Sequence, residues 1–336
     1  WMGFYKAPFS HDFEKADIVI SGCGLDYGTL GETGNMRMAP AYLRHETRKK
    51  IPVHGEWDIV PFEQARIIDM GDIDVYGLTY GEQLDHAASW LSKVTDAGAL
   101  MLNFGGEHSL GHASWDALQN TLDKYYDGTP CGGILFDGHA DMMNECGMGD
   151  LSSETRNNAN FLPRALEAGT FDPERWVSIG IHESAAGQMA GMGLTEELGI
   201  QVISPLMMQD KGAAYWADFV KERVGEGPCW IECDLDGLSP QAGLSTMDDF
   251  GLTWREFRAM TRALKGKDLL GANIVEYSPA HDPQRVLAAN ICNFGFEILC
   301  MMVETKVKLN GGEHKQTKWH NNLTTAPGFF GTDIEL

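Results

Sequence analysis

Two short segments of the chain carry side chains whose types and spacing suit metal binding. Asp137, His139 and Asp141 occupy alternating positions directly after an apolar run, and Asp234 and Asp236 show the same alternation later in the chain. Residues at positions i, i+2 and i+4 of an extended segment lie on one face, so each group can converge on a single point. Carboxylate and imidazole groups gathered in this way indicate a bound cation.

A histidine and a glutamate join this set because of where they stand. His108 comes shortly after one apolar run, and Glu276 comes directly after another. Ligands of open α/β sheets bind at the carboxyl ends of the strands. If these runs are parallel strands, four separate segments place polar side chains at one edge of one sheet.

Four aspartates and two histidines form a ligand set that suits manganese, nickel, iron or zinc. Six ligands are too many for one ion with an open position, but two bridging carboxylates let them serve two ions about 3.5–4 Å apart. Such a pair activates a shared water at neutral pH for attack on an electron-poor carbon.

Taken singly, His108 could be a buried turn histidine, and Asp137 or Asp234 could cap helices. The combination favours a metal centre, and for Glu276 the alternative is an ordinary loop carboxylate.

The elements that must position these residues follow from the apolar pattern. Eight runs are almost continuously apolar, which is typical of parallel strands covered on both faces: residues 17–21, 66–69, 100–104, 133–136, 176–181, 200–203, 229–233 and 272–275. Stretches with an apolar period of about 3.6 residues predict helices between them: residues 82–96, 109–125, 160–168, 213–224, 254–264 and 284–301. Alternating strands and helices without a linker predict one α/β domain.

Composition limits the classes of partner. The chain has 336 residues, 43% of them apolar, and a formal charge of -22. This charge argues against nucleic acid and anionic membranes and favours small cationic substrates.

The seven cysteines are scattered, which favours reduced thiols in a cytoplasmic protein over a disulfide framework. We expect no membrane span, since we find no apolar run that approaches the roughly 20 residues that crossing a bilayer requires, and no signal pattern at the start of the chain. After Glu304 the chain turns polar. We therefore expect a domain over residues 1–304 and a tail over residues 305–336 that is either loosely ordered or docked on a neighbouring subunit.

Three segments resemble the signatures of the ureohydrolase family, which includes arginase and agmatinase. They are Gly105-Gly106-Glu107-His108-Ser109, Asp137-Gly138-His139-Ala140-Asp141 and Asp234-Leu235-Asp236-Gly237-Leu238-Ser239-Pro240. The likeness extends over most of the chain, and the opening segments look closest to agmatinase.

The resemblance implies a three-layer α/β/α sandwich around a mostly parallel eight-stranded sheet. It also implies two divalent ions, Mn²⁺ or Ni²⁺, with six protein ligands: His108, Asp137, Asp141 and Asp234 for one ion, and His139, Asp137, Asp234 and Asp236 for the other. Asp141 would also orient the attacking water, and Glu276 would pair with the guanidinium group of the substrate. Family members are usually trimers or hexamers.

Several positions depart from the family pattern. Asn158 stands where the family carries a proton-shuttling histidine, and asparagine cannot act as an acid or base near neutral pH. His182 and His112 are the candidate replacements, and we place Asn158 and His182 with Glu276 among the substrate contacts. Glu232 replaces a customary serine. Residues 239 and 241–245 also differ from the customary sequence. Retained ligands with altered surroundings favour an altered substrate over a loss of function.

The sequence therefore predicts a dinuclear metal hydrolase that cleaves a C–N bond of a guanidinium-type cation, such as an agmatine-like compound, guanidine or the biguanide metformin. The alternative is a supporting subunit of a hetero-oligomer in which a related, unlike chain performs catalysis. The missing shuttle histidine motivates that alternative. Amide deacetylation on a related fold is weaker, because the paired-aspartate signatures favour ureohydrolases.

Overall fold

A single sheet of eight parallel strands forms the centre of the protein. The computed structural model describes residues 3–26, 35–143, 156–182, 186–239, 243–244 and 250–313. The strands are β1 (Ile18–Cys23), β2 (Ile67–Ile73), β3 (Leu100–Gly105), β4 (Cys131–Phe136), β5 (Phe171–Ile179), β6 (Gln201–Ile203), β7 (Pro228–Asp234) and β8 (Asp268–Val275). Their order across the sheet is β2-β1-β3-β8-β7-β4-β5-β6, and the neighbours are parallel. All eight predicted strands are confirmed, and the last of them lies at the centre of the sheet.

The described residues form helices between these strands. They are α1 (Ala39–Thr47), α2 (Tyr80–Asp96), α3 (Leu110–Tyr126), α4 (Phe161–Glu167), α5 (Ala186–Glu197), α6 (Pro205–Lys211), α7 (Ala213–Val224), α8 (Trp254–Arg262) and α9 (Val286–Leu309). The six predicted helices are confirmed, whereas α1, α5 and α6 were not predicted. The sequence of α5 is rich in glycine, which has low helix propensity. For α6 a signal existed, since Ser204 caps the helix and Pro205 occupies its first position.

Helices cover both faces of the sheet and complete the predicted three-layer sandwich. On β3, Asn103 donates a hydrogen bond to Ser114 of α3, while the next residue, Phe104, faces α9 at Gly295. Successive strand residues point to opposite faces, so α3 and α9 lie on opposite sides of the sheet. Helices α2 and α4 pack beside α3, and α1 and α8 pack beside α9.

Helix α9 corrects two expectations about the C-terminal region. It has 24 residues and is long and apolar enough to cross a membrane, contrary to the expectation that no run approaches this length. However, 78% of its most apolar window is buried inside the protein, where it packs on β8 and β3 as a core helix. The helix also continues past residue 304, and Lys306 is buried with its Nζ atom near the carbonyl of Gly98. The rest of the predicted tail, from residue 314, lies outside the described residues.

Candidate metal centre

The four central strands bring the acidic segments and the histidines to one edge of the sheet. His108 follows β3 and Asp137 follows β4, while Asp234 is the last residue of β7 and Glu276 follows β8 directly. These strands are adjacent in the order β3-β8-β7-β4 and run parallel, so their carboxyl ends meet. The predicted convergence of four segments at one sheet edge is therefore found in the structure.

Close backbone packing holds the two acidic segments together. A Cβ atom at Gly237 would stand 2.7 Å from the backbone nitrogen of Asp137, so only glycine permits this approach. Asp141 and Glu276 have φ angles of 47° and 64°, in the left-handed region that costs free energy for residues other than glycine. Such strain persists where surrounding structure enforces it, commonly at functional sites.

The first ligand group surrounds His108. Its Nδ1 atom lies 2.9 Å from Oδ2 of Asp141, 3.1 Å from Oδ2 of Asp234 and 3.4 Å from Oδ2 of Asp137. All four residues are buried, and neither His108 Nδ1 nor Asp137 Oδ2 has a hydrogen-bond partner of ordinary geometry in the described residues. Three carboxylate oxygens thus point at one imidazole nitrogen, which is a geometry that a cation would satisfy.

The second ligand group surrounds His139. Its Nδ1 atom lies 3.1 Å from Oδ2 of Asp236 and 3.2 Å from Oδ1 of Asp137. The other oxygen of Asp236 accepts a hydrogen bond from the backbone nitrogen of Gly138, which fixes the carboxylate. One ligand atom each of His108, Asp137 and Asp234 lies within 4.8 Å of the others, and the same holds for Asp137, His139 and Asp236, so Asp137 belongs to both groups. Two cation positions that share a carboxylate are thus available.

Burial makes the charges of this cluster unfavourable. Burial raises the pKa of Asp137 to about 7, and Asp141 and Asp236 add to the shift. Burial and the neighbouring aspartates also raise the pKa of Asp234 well above its usual range. Burial would lower the pKa of His108, but the carboxylates around it raise that pKa well above the ordinary value. The cluster therefore retains protons that a metal ion would displace.

One carboxylate of the centre behaves differently. Burial would raise the pKa of Asp236, but the charge of His139 and hydrogen bonds from His139 and Gly138 lower it well below the usual range. This aspartate is therefore ionised at neutral pH and available to a cation.

Comparison with known proteins agrees with this geometry. The model of the arginase family matches residues 16–300 of the chain. The chain belongs to the arginase family. It is 27% identical to agmatinase of Chromobacterium violaceum over 313 residues, which cover 91% of this chain and 90% of the relative. It is 29% identical to guanidinopropionase of Pseudomonas aeruginosa over 307 residues, which cover 91% and 92% of the two chains.

The fold has the same relatives. The solved structure of proclavaminate amidino hydrolase from Streptomyces clavuligerus matches with a TM-score of 0.80 at 24% identity, covering 91% of this chain and 98% of that one. The predicted resemblance to ureohydrolases is confirmed, and the relatives are hydrolases that act on C–N bonds. The arginase family uses a dinuclear manganese site.

Glu276 lies directly beside the first ligand group of this arginase-family centre. Its Oε1 atom accepts a hydrogen bond of 2.8 Å from the backbone nitrogen of His108, and its own backbone nitrogen donates to the carbonyl of Gly106. The carboxylate is buried and tied to both β3 and β8. It is thus held in one position next to the metal ligands.

The two histidines considered as proton donors have different surroundings. Nε2 of His112 lies 3.0 Å from the carbonyl of Asn157 and 3.1 Å from Oδ1 of Asn160, and burial lowers the pKa of this histidine to about 4. A neutral ring whose proton is held by two acceptors is unsuited to proton transfer. Nδ1 of His182 donates to the carbonyl of Gly180, which leaves Nε2 as a buried acceptor without a partner in the described residues.

The structure places His182 next to the second ligand group and Asn158 in a separate segment. A Cβ atom at Gly138 would stand 3.0 Å from Cε1 of His182 and 3.3 Å from Oδ1 of Asp236. The Oδ1 atom of Asn158 is buried and has no hydrogen-bond partner among the residues that the structure describes. The divergent residues 241, 242 and 245 lie outside the described residues.

Sequence reasoning noted Glu232 as a departure but gave it no role at the site. This carboxylate is fully buried in β7, and its Oε1 atom lies 3.4 Å from Nε2 of His108. A charged residue inside an otherwise apolar strand was the available signal, because glutamate is rarely buried without partners.

Proposed function

We propose that this chain is a dinuclear metal hydrolase that cleaves a C–N bond of a guanidinium-type cation to give urea, or a substituted urea, and an amine. The observation that carries the proposal is the convergence of two histidines and four aspartates at the carboxyl ends of adjacent strands. Membership of the arginase family and relatives that act on agmatine or guanidinopropionate, according to their names, support the same chemistry.

The donor set fits two divalent ions. We assign to one ion the group around His108 and to the other the group around His139, with six ligands in all: His108, Asp137, Asp141, Asp234, His139 and Asp236. In the described part of the chain, His108 Nδ1 and Asp137 Oδ2 have no hydrogen-bond partner, and both face this space. Oxygen and imidazole ligands suit Mn²⁺ or Ni²⁺, and the manganese of the family favours the former.

Such ions, when bound, supply a water activated for attack at neutral pH. The chain's own residues bind and orient the substrate around it. We assign to Asp141 the orientation of the attacking water, because its carboxylate lies in the first ligand group on a strained backbone. We assign to Glu276 the pairing with the guanidinium group, since a buried fixed carboxylate suits a planar cation.

Return of a proton to the leaving amine requires another group, because Asn158 cannot supply it. We assign this step to Nε2 of His182, an acceptor without a partner in the described residues beside the second ligand group: it would take up the proton released by the attacking water and pass it to the amine. The net charge of -22 assists the capture of a cationic substrate. We propose agmatine-like compounds, guanidine and biguanides such as metformin as the candidate substrates. We also propose that the chain assembles into a trimer or hexamer, with or without an unlike related subunit.

The test combines metal analysis with a substrate screen. Purified chain would be depleted with chelator, loaded with Mn²⁺ or Ni²⁺, and assayed for urea and amine release from agmatine, 3-guanidinopropionate, 4-guanidinobutyrate, arginine, guanidine and metformin. We expect two ions per chain and turnover of at least one substrate, both lost in Asp234→Asn. Turnover that appears only when a related chain is added would instead support the alternative of a supporting subunit. Retained turnover and metal content in Asp234→Asn would refute the ligand assignment.

A further inference from the structure

We infer that Glu232 is a positioning residue for the metal centre: its carboxylate fixes the ring orientation and tautomer of His108, so that Nδ1 faces the ions. This inference deepens the proposed function and rests on its metal assignment. Glu232 lies in the middle of the sheet on β7, one layer below the ligands, and has no solvent exposure.

Four donors surround the Glu232 carboxylate. Its Oε1 atom accepts a hydrogen bond of 2.7 Å from Nδ2 of Asn273, and its Oε2 atom accepts bonds of 2.8 Å and 3.2 Å from the indole nitrogens of Trp230 and Trp115. The fourth is Nε2 of His108, which lies 3.4 Å from Oε1, beyond a well-formed hydrogen bond, and has no hydrogen-bond partner in the described residues. The carboxylate thus stands between the polar core of the sheet and the back of the ligand histidine.

The chemistry of these partners explains why residue 232 carries a carboxyl group. Indole and amide N–H groups only donate, so both oxygens of residue 232 must accept. The NH₂ group of a glutamine would face either the two indole N–H groups or the nitrogens of Asn273 and His108. In both orientations two hydrogen-bond donors would face each other without an acceptor. The customary serine of the family has one oxygen and cannot reach all four donors. Only a carboxylate satisfies this site.

A chain of hydrogen bonds holds Asn273, and through it Glu232, in place. Oδ1 of Asn273 accepts bonds of 2.9 Å from Nδ2 of Asn103 and from the hydroxyl of Ser114, which leaves Nδ2 directed at Glu232. Asn103 in turn accepts a bond of 2.7 Å from the hydroxyl of Ser21. The network crosses β1, β3, β8 and β7, so the carboxylate is fixed by the sheet and not by a loop.

The consequence concerns the nitrogen that His108 offers to a metal. A histidine that ligates through Nδ1 carries its proton on Nε2, and an acceptor at that side fixes both tautomer and ring orientation. Carboxylates in this role typically contribute 10- to 100-fold to metal affinity. We expect Glu232 to act on the ion bound by His108 and to leave the ion at His139 unchanged.

The experiment measures Mn²⁺ binding by calorimetric titration of the chelator-treated chain, with visible absorption of the Co²⁺ form as a report on the ligand geometry. The variants are Glu232→Gln and Glu232→Ser. The matched control is Ser21→Ala, which removes a buried hydroxyl from the far end of the same network and leaves His108 untouched. Far-UV circular dichroism of the metal-free proteins establishes that each variant is folded.

We expect the Glu232 variants to bind one of two Mn²⁺ ions about 10- to 100-fold more weakly, with an altered Co²⁺ band, and Ser21→Ala to match the wild type. Wild-type affinities and spectrum in a folded Glu232→Gln protein would overturn the inference and leave the proposed function standing. Failure of the wild-type chain to bind two ions would overturn both.

A measurement on the wild type covers the case in which neither variant folds. In the Zn²⁺-loaded chain with ¹⁵N-labelled histidine, nuclear magnetic resonance should show the His108 proton on Nε2, protected from exchange. A proton on Nδ1 with the metal at Nε2 would contradict the role of Glu232.

Discussion

Replacing Asp137 with asparagine should stabilise the metal-free protein and abolish its response to metal. Burial and two neighbouring aspartates raise the pKa of this carboxyl from 3.8 to about 7. Because its folded-state pKa lies above the unfolded value, the ionised group destabilises the fold above pH 7, and stability returns as the pH falls from 7 towards 4. At about 1.4 kcal/mol per pKa unit, the shift corresponds to about 4 kcal/mol, which is an upper limit for the gain in Asp137→Asn at pH 8.

The assay is differential scanning calorimetry of the chelator-treated protein at pH 8 and pH 5. An unfolding entropy of about 2.1 cal/mol/K per residue, summed over the 336-residue chain, converts about 4 kcal/mol into a rise in Tm of roughly 6 °C. The rise should shrink at pH 5, where the wild-type carboxyl is protonated. Added Mn²⁺ should raise the Tm of the wild type through linkage but not that of Asp137→Asn, which lacks the carboxylate common to both ligand groups.

Asp210→Asn is the matched control, since Asp210 is an exposed aspartate on α6. It should change the Tm little and should keep the Mn²⁺ response. The reasoning would be refuted if metal-free Asp137→Asn melted below the wild type at pH 8, or if it gained as much Tm from Mn²⁺ as the wild type does. The first result would show that the cluster is not under electrostatic strain, and the second that Asp137 is not a ligand.

Three further predictions follow from the site. Mn²⁺ affinity should increase as the pH rises through 7. Asp137 and His108 have raised pKa values, and their protons must leave before a metal binds. Equal affinities at pH 6 and pH 8.5 in calorimetric titrations would contradict this. His182→Gln should lower kcat at least 10-fold at unchanged metal content, whereas His112→Gln should mainly lower the Tm, and the reverse pattern would exclude His182 as the proton donor. Gly237→Ala should lower the Tm and the Mn²⁺ content together, because a Cβ atom would press on the backbone nitrogen of Asp137 at 2.7 Å; an unchanged metal content by atomic absorption would count against close packing of the two segments.

The sequence alone determined those features that depend on neighbours along the chain. Alternation of Asp137, His139 and Asp141 after a buried run indicated these residues as candidate ligands. However, β4 ends at Phe136 and Asp141 has a φ of 47°, so the segment that positions them is a loop and not the extended strand that the alternation assumes. The eight strands and six of the helices were likewise visible as local apolar patterns. Helix α5 was missed because its sequence is rich in glycine, which has a low helix propensity.

Only the tertiary structure decided which distant residues meet. Nothing in the local pattern of β8 indicates that the last strand lies between β3 and β7, where it places Glu276 against His108. The local pattern also does not indicate that Nε2 of His112 lies between two acceptors. Nor does it indicate that Glu232 lies beside Trp115 of α3, Asn273 of β8 and His108. The spacing of apolar residues predicts which face of its own strand or helix a residue occupies. Its hydrogen-bond partners depend on packing between segments that are far apart in the sequence. The candidate metal ligands could therefore be read from the chain, and the contact between Glu232 and His108 could not.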